Sequence, residues 1–378
     1  MTTLRLGTRR SPLALAQATQ VADRLSALGH DVDLVPITTL GDQSEHALTT
    51  IGGTGVFAAA IRQALLAGEI DLAVHSLKDL PTAPEPGLVV AATPTREDPR
   101  DVLVARDGLT LGELPAGSVV GTGSPRRAAQ LGALGLGLEV VPVRGNVDTR
   151  LELVHSGAVD GVLLARAGLA RIGRLGEATE TIDPLQMLPA PGQGALAVEC
   201  REDRADIRAA IAVLDDADTR VCVTAERALL AALEAGCTGP VGALAELVEG
   251  DDGPELSLRA FVGAPDGSVG LRHSVVAPVD DPVAAGRRLA AVLLEDGAAD
   301  LVPIDPVATQ LPLVAPQLPN RDAASGIPDS PHPLAREGSA AEGSRSPGSA
   351  RLAEPPDGIP RPVSTLTTNH QHHTEQVS

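Results

Sequence analysis

The chain has no tryptophan and no tyrosine, and phenylalanine occurs only at Phe57 and Phe261. Of its 30 basic residues a single one, Lys78, is a lysine. Such a bias toward alanine, glycine, arginine and proline is the mark of nucleotide composition. Arginine replaces lysine on most solvated surfaces, but a compact ammonium and a forked guanidinium are not equivalent at a site, so the surviving lysine asks for a chemical reason. Only three cysteines are present, Cys200, Cys222 and Cys237. They are too few and too scattered for a disulfide framework or a zinc knuckle, and a reducing, cytoplasmic setting fits best. No apolar run approaches the ~18–20 residues of a membrane helix. Arg5, Arg9 and Arg10 precede no apolar stretch, so no secretory signal is expected. Positive charge is scarce overall: the formal net charge is −19, which argues against nucleic acid as the main partner.

What is there begins with alternating strand and helix signals. Leu4–Leu6, Val32–Ile37 and Ile70–Val74 read as strands. Pro12–Leu28 and Val56–Ala67 read as amphipathic helices. That wiring predicts a parallel sheet flanked by helices. The pattern returns between residues 101 and 186, with strands at Val102–Ala105, Ser118–Gly121, Leu138–Val143 and Gly161–Leu164. Helices are expected there at Pro125–Leu134 and Arg150–His155. Leu6-Gly-Thr-Arg-Arg-Ser-Pro12 is echoed by Val120-Gly-Thr-Gly-Ser-Pro125, and Gly68-Glu-Ile-Asp71 by Gly157-Ala-Val-Asp160. Two similar lobes with a cleft between them are therefore expected, joined by crossings at Thr93–Arg100 and Pro189–Gly194, with Ala195–Glu199 returning as a strand. A third unit follows, with a helix at Thr219–Ala235, a turn at Gly236–Val241, strands near Leu256–Val262 and Leu271–Val276, and a helix at Pro282–Leu294. The expected domains are 1–95 with a return segment 190–212, then 100–188, then 215–305. Residues 312–378 lose apolar periodicity and read as a disordered tail. His370, His372 and His373 fit a solvated end better than a metal tract, and no metal is expected.

Chemistry concentrates at strand ends. Ser11-Pro12 and Ser124-Pro125 each set an N-cap serine before a proline at the first helical position. Helix starts attract anions, yet these carry Arg9 and Arg10, and Arg126 and Arg127. An anion-binding site is the economical reading of the two corners together; the alternative is that these side chains point into water. Arg144, Arg150, Arg166 and Arg171 also fall beyond the carboxyl ends of strands, where open α/β sheets bind ligands. So many guanidinium forks suit a ligand with several carboxylates or phosphates. His75-Ser76-Leu77-Lys78-Asp79-Leu80-Pro81 holds the lone lysine beside an aspartate. Asp79 is either a general acid/base or charge stabiliser, or one half of a surface ion pair. Cys200 and Cys222 read as core residues. Cys237, in the loop Gly236-Cys237-Thr238-Gly239-Pro240, is the cysteine able to reach a cleft and react.

These stretches, with Arg96-Glu-Asp-Pro-Arg-Asp101, Arg144-Gly-Asn-Val147, Pro191-Gly-Gln-Gly-Ala195 and Thr224-Ala-Glu-Arg227, resemble the porphobilinogen deaminase (hydroxymethylbilane synthase) family, in its order, over residues 3–305. The resemblance implies an α/β fold of two periplasmic-binding-protein-like lobes plus a smaller α/β C-terminal domain. It implies a dipyrromethane cofactor thioether-linked to Cys237. It implies head-to-tail joining of four porphobilinogen molecules, with loss of ammonia each time and hydrolytic release of hydroxymethylbilane by a monomeric enzyme. Asp79 matches the family's catalytic aspartate. Arg9, Ser11, Lys78, Thr122, Ser124, Arg126, Arg127, Arg144 and Arg150 match residues holding cofactor or substrate carboxylates, with Arg171 and Gln193 beside them. Each pyrrole brings two carboxylates, so many arginines are needed, and a carboxylate can stabilise the electron-poor carbon left when ammonia departs. Many members carry lysines in the loop where this chain has Thr50 and Thr54, so the 40–55 loop is a lid without them. Phe57 matches an aromatic that either stacks over the site or packs in the core. Two other readings are a non-catalytic, two-lobed anion-binding protein and the sensor half of a transcription regulator. The first leaves Lys78, Asp79 and Cys237 unexplained, and the second lacks a helix-turn-helix.

Overall fold

The computed structural model describes residues 3–39, 58–235, 239–251, 253–264 and 266–301. All belong to one compact unit, Met1–Gln317. The 40–55 loop with Thr50 and Thr54, Phe57, Cys237 and the 312–378 tail therefore lie outside the described residues.

The first lobe is built on a five-stranded sheet of β1 (Leu4–Arg9), β2 (Val32–Ile37), β3 (Leu72–Ser76), β4 (Leu88–Ala92) and β10 (Leu196–Arg201), in the order β2-β1-β3-β10-β4. Helix α1 (Pro12–Ala27) buries Ala14, Ala18, Val21, Ala22 and Leu25 against it, and α2 (Ala59–Leu66) adds Ile61 and Leu65. These residues recur at the helical period, so each helix presents one apolar stripe. The second lobe uses β5 (Asp101–Ala105), β6 (Val119–Gly121), β7 (Glu139–Val141), β8 (Gly161–Ala165) and β9 (Glu180–Thr181), in the order β7-β6-β8-β5-β9. Its helices are α3 (Pro125–Ala133), α4 (Val147–His155) and α5 (Arg166–Arg171).

Both sheets share one plan, with an arriving strand wedged antiparallel between the third strand and an edge. In the first lobe that strand is β10; in the second it is β5. The sheets are thus mixed, which corrects the expectation of parallel pairing throughout. A strand entering from the neighbouring lobe arrives at the opposite end of the sheet, so it must run against the others. The short β4 and β9, the ten-residue β11 (Val241–Gly250) and the helix α6 (Ala205–Ala212) were not expected from sequence.

The third unit is an antiparallel meander of β11, β12 (Gly253–Gly263) and β13 (Gly270–Pro278). Helices α7 (Ala217–Ala232) and α8 (Pro282–Glu295) close one apolar core with it, through Leu229, Leu256, Leu258, Leu289 and Leu293. Glu226 of α7, 0% exposed, ties this unit to both crossings. Its carboxylate accepts from Arg96 Nη1 at 2.7 Å and Nη2 at 3.0 Å, from Gly192 N at 2.6 Å and from Ala245 N at 2.9 Å. The two crossings touch where Glu97 N donates to Gly194 O. Gly194 is held at φ +87°, and a Cβ there would stand 2.3 Å from Glu97 O, so only glycine fits.

Candidate active site

The first corner forms where β1 ends. Ser11 takes an extended conformation and its Oγ accepts from Ala14 N at 3.3 Å, capping α1 with Pro12 at its first position. Across the sheet, β3 runs into a 3₁₀ turn, Leu77–Asp79. A cleft opens between corner and turn, with Arg9, Ser11, Gln17, His75, Ser76 and Asp79 on its wall. Gln17 Nε2 donates to Ser76 Oγ at 2.9 Å, fixing one side of it.

The turn is held from behind. Arg227 of α7 donates to three carbonyls, Leu77 O at 3.3 Å, Leu80 O at 3.0 Å and Pro81 O at 2.6 Å. Val223, Leu77, Leu80, Ala195 and Ala197 pack beneath it. Behind β3, Glu199 pairs with Arg62 at 2.8 Å and meets His75 Nε2 at 3.4 Å. Despite the penalty of burial, these partners hold the Glu199 carboxyl below its usual range.

The second corner follows the same plan with less room. Thr122 Oγ1 accepts from Ser124 N at 3.2 Å, and Ser124 Oγ accepts from Arg127 N at 3.5 Å. A Cβ on Gly123 would meet Val143 O at 2.6 Å, so the chain can turn here only with glycine. Arg126 and Arg127 are 3% and 5% exposed, and both pair with Asp101 at 2.7 Å. They also donate to Leu188 O and Leu163 O. These two arginines are thus partly engaged by the protein itself, which the sequence reading of them as ligand-holding forks did not anticipate. Arg150 lies against Gly123, with Arg127 and Arg144 as charged neighbours. Burial pushes its guanidinium down to about 10, and the two like charges push the same way. Arg171 is lowered by burial, opposed by Glu97, and donates to Gly194 O at 2.7 Å. Arg166 is taken up by Asp98 at 3.3 Å.

Lys78 connects the lobes. Its Nζ donates to Gln193 Oε1 at 3.2 Å, and Gln193 Nε2 donates to Pro99 O and Asp101 Oδ1, both at 2.7 Å. Burial lowers the Lys78 ammonium to about 8; Asp79 and Asp101 resist that shift, while Arg127 and Arg126 reinforce it. Buried Cys200 and Cys222 are pushed up, to about 11 and about 12, by burial, so neither supplies a thiolate. Sequence reasoning missed Asp101, Gln17 and Glu226 as members of this arrangement. Asp101 stood within a quoted motif, but nothing local marks it as buried.

The Nε atoms of Arg126, Arg127, Arg150 and Arg171 are buried without a hydrogen-bond partner among the described residues. Buried donors are ordinarily satisfied. Four guanidiniums, each with a buried Nε still to be served, fit a group rich in carboxylates.

A family model described as porphobilinogen deaminase, dipyromethane cofactor binding domain, matches residues 4–209, and its C-terminal domain matches residues 220–295. The chain belongs to the porphobilinogen deaminase family. The porphobilinogen deaminase of Nocardia farcinica is 59% identical over 314 residues, 82% of this chain and 90% of its own. That of Mycobacteroides abscessus is 59% identical over 304 residues, 79% of this chain and 99% of its own. Among solved structures, a periplasmic substrate-binding protein of an ABC transporter from Coxiella burnetii aligns at TM-score 0.37 with 15% identity, over 56% of this chain and 91% of its own. The deaminase is a transferase of tetrapyrrole synthesis with a dipyrromethane cofactor. Membership sets aside the anion-carrier and regulator readings.

Proposed function

We propose that this deaminase acts through Asp79, with Lys78 and Arg9 beside it, on porphobilinogen held between the two corners. The observation that carries this reading is that Arg9, Ser11 and Asp79 share one cleft wall while Lys78, next to Asp79, is bonded through Gln193 to Asp101, the partner of Arg126 and Arg127. The bound dipyrromethane supplies an anchored pyrrole end to which each porphobilinogen is joined. Ser11, Thr122, Ser124, Arg126, Arg127, Arg144, Arg150 and Arg171 receive carboxylates, and Gln193 orients Lys78. Asp79 stabilises the positive charge that develops as ammonia leaves a substrate pyrrole, its carboxylate being the acidic group on the cleft wall among the described residues. Cys237 is the attachment point, since Cys200 and Cys222 are buried in their cores. Tethering makes each addition effectively intramolecular.

The domain limits of 1–95 with 190–212, 100–188 and 215–305 belong to the same reading, and what supports them is that each holds one sheet. So do a cytoplasmic monomer and the absence of nucleic-acid or membrane partners. The net charge of −19 favours this, and no helix among the described residues is long and apolar enough to cross a membrane. The test is the intact mass of the denatured protein beside a Cys237→Ser variant. A covalent excess of two porphobilinogen units less two ammonias, absent from the variant, is the expected result. An excess that persists in the variant moves the attachment elsewhere.

A further inference from the structure

Asp101 opens β5 at the point where the chain enters the second lobe, and it is 0% exposed. One carboxylate there serves three partners. Oδ2 lies 2.7 Å from Arg126 Nη1, and Oδ1 lies 2.7 Å from Arg127 Nη2 and accepts from Gln193 Nε2 at 2.7 Å. Gln193 spends its other amide N–H on Pro99 O, so its carbonyl oxygen alone is left to face Lys78. The amide cannot flip without losing both donor bonds, which makes it a one-way connector from Asp101 to the Lys78 ammonium. A structural pair needs one guanidinium, whereas here two guanidiniums and an ammonium gather around Asp101 and Asp79. Three positive and two negative charges leave an excess of one positive charge. Among the described residues, the Nε atoms of Arg126 and Arg127 stay buried and unpartnered after Asp101, Leu163 O and Leu188 O are served.

We propose that Asp101, without touching substrate or cofactor, is a positioning residue whose single carboxylate orients Arg126, Arg127 and, through Gln193, Lys78, so that the carboxylate-holding groups of both lobes are set as one unit. It rests on the reading that Lys78, Arg126 and Arg127 receive carboxylates. Removing its charge leaves two guanidiniums uncompensated and removes one of the two carboxylates that keep Lys78 protonated; Asp79 is the other, with Arg126 and Arg127 opposing.

The lone lysine makes the test direct. Protein labelled with 13C-lysine gives one Cε resonance set, whose pH titration reads Lys78 alone. Wild type and Asp101→Asn are compared as apoprotein and after incubation with porphobilinogen, with covalent load followed by intact mass. Asp203→Asn, at the exposed pair with Arg201, is the control and keeps wild-type behaviour. In Asp101→Asn the lysine of the apoprotein is expected to titrate about one unit lower than wild type. Its rate of covalent loading is expected to fall at least about tenfold through loss of charge-assisted bonds. Both changes are required, and the absence of either overturns the proposal. A wild-type lysine signal that does not move on cofactor loading instead overturns the reading of Lys78, whatever Asp101 does. Should Asp101→Asn fail to give a cooperative melt, Asp101→Glu keeps the charge on a side chain one methylene longer. Loading there at least about tenfold slower, with the lysine titration unchanged, supports positioning; loading at the wild-type rate overturns it.

Discussion

A carboxylate that meets a developing cation acts by its charge, so an amide of the same shape is the informative replacement for Asp79. Asp79→Asn is expected to lower kcat about 10²–10³-fold, by analogy with removal of one aligned group from a charge-stabilising site. It should keep its covalent cofactor, which intact mass and steady-state rates together check. Lys78 gives a second prediction. Its ammonium is charged below about pH 8 and neutral above it. The attraction for substrate carboxylates is present below that pH and fades as pH rises, so KM for porphobilinogen should climb above pH 8. In Lys78→Arg, whose side chain stays charged, that limb should vanish from the KM–pH profile. The same lowered value means that the unfolded chain holds more protons than the folded one between about pH 8 and 10.5. This lysine therefore costs the fold least at the alkaline end. At this scale Asp79, Arg9 and Ser11 were legible because they sit beside Gly-, Ser- and Pro-marked strand ends. Asp101 was not, because what distinguishes it is burial among residues 25 and 92 positions away, which no local pattern carries.

Strand ends and helix starts are where the sequence speaks most plainly in this protein. Both N-caps form as the Ser-Pro pairs require, and α4 gains a turn because Asn146 caps it through Thr149 N at 2.9 Å. Ser124→Ala should cost about 1 kcal/mol of stability, the usual worth of a cap, and should slow covalent loading because Arg126 and Arg127 lie in the first turn it fixes. A denaturant melt and the intact-mass time course read the two effects. The turn carrying Lys78 and Asp79 depends on another element altogether. Arg227→Gln leaves carbonyls of residues 77, 80 and 81 without their guanidinium donor. It should lower kcat more than it raises KM, since the turn bears Asp79. What pattern could not give were β4, β9 and β11. The first two are held by neighbours rather than by alternation, and β11 is written in Ala, Leu and Glu, which favour helices unless a sheet claims them.

For the molecule as a whole, the Glu226 node is the place to cut. Glu226→Gln leaves Arg96 buried without its counter-charge and should destabilise the fold by about 3–5 kcal/mol. The drop should appear as a lower Tm, with faster proteolysis at the crossings 93–100 and 189–194. The two-lobed plan was legible from the repeated strand–turn–helix corners. Both inserted strands, β5 and β10, were legible as strands, and β10 as a return, but their antiparallel direction was not, because direction is set by where the chain enters the sheet and no local pattern carries that. That insertion has a consequence for how the protein is made. Sheet two is complete once residue 181 has been added, whereas sheet one waits for β10, which lies between β3 and β4. Domains fold as units while the chain emerges from the ribosome. Here the lobe encoded second finishes first, and the N-terminal half of the active site stays unassembled until the return crossing has been synthesised.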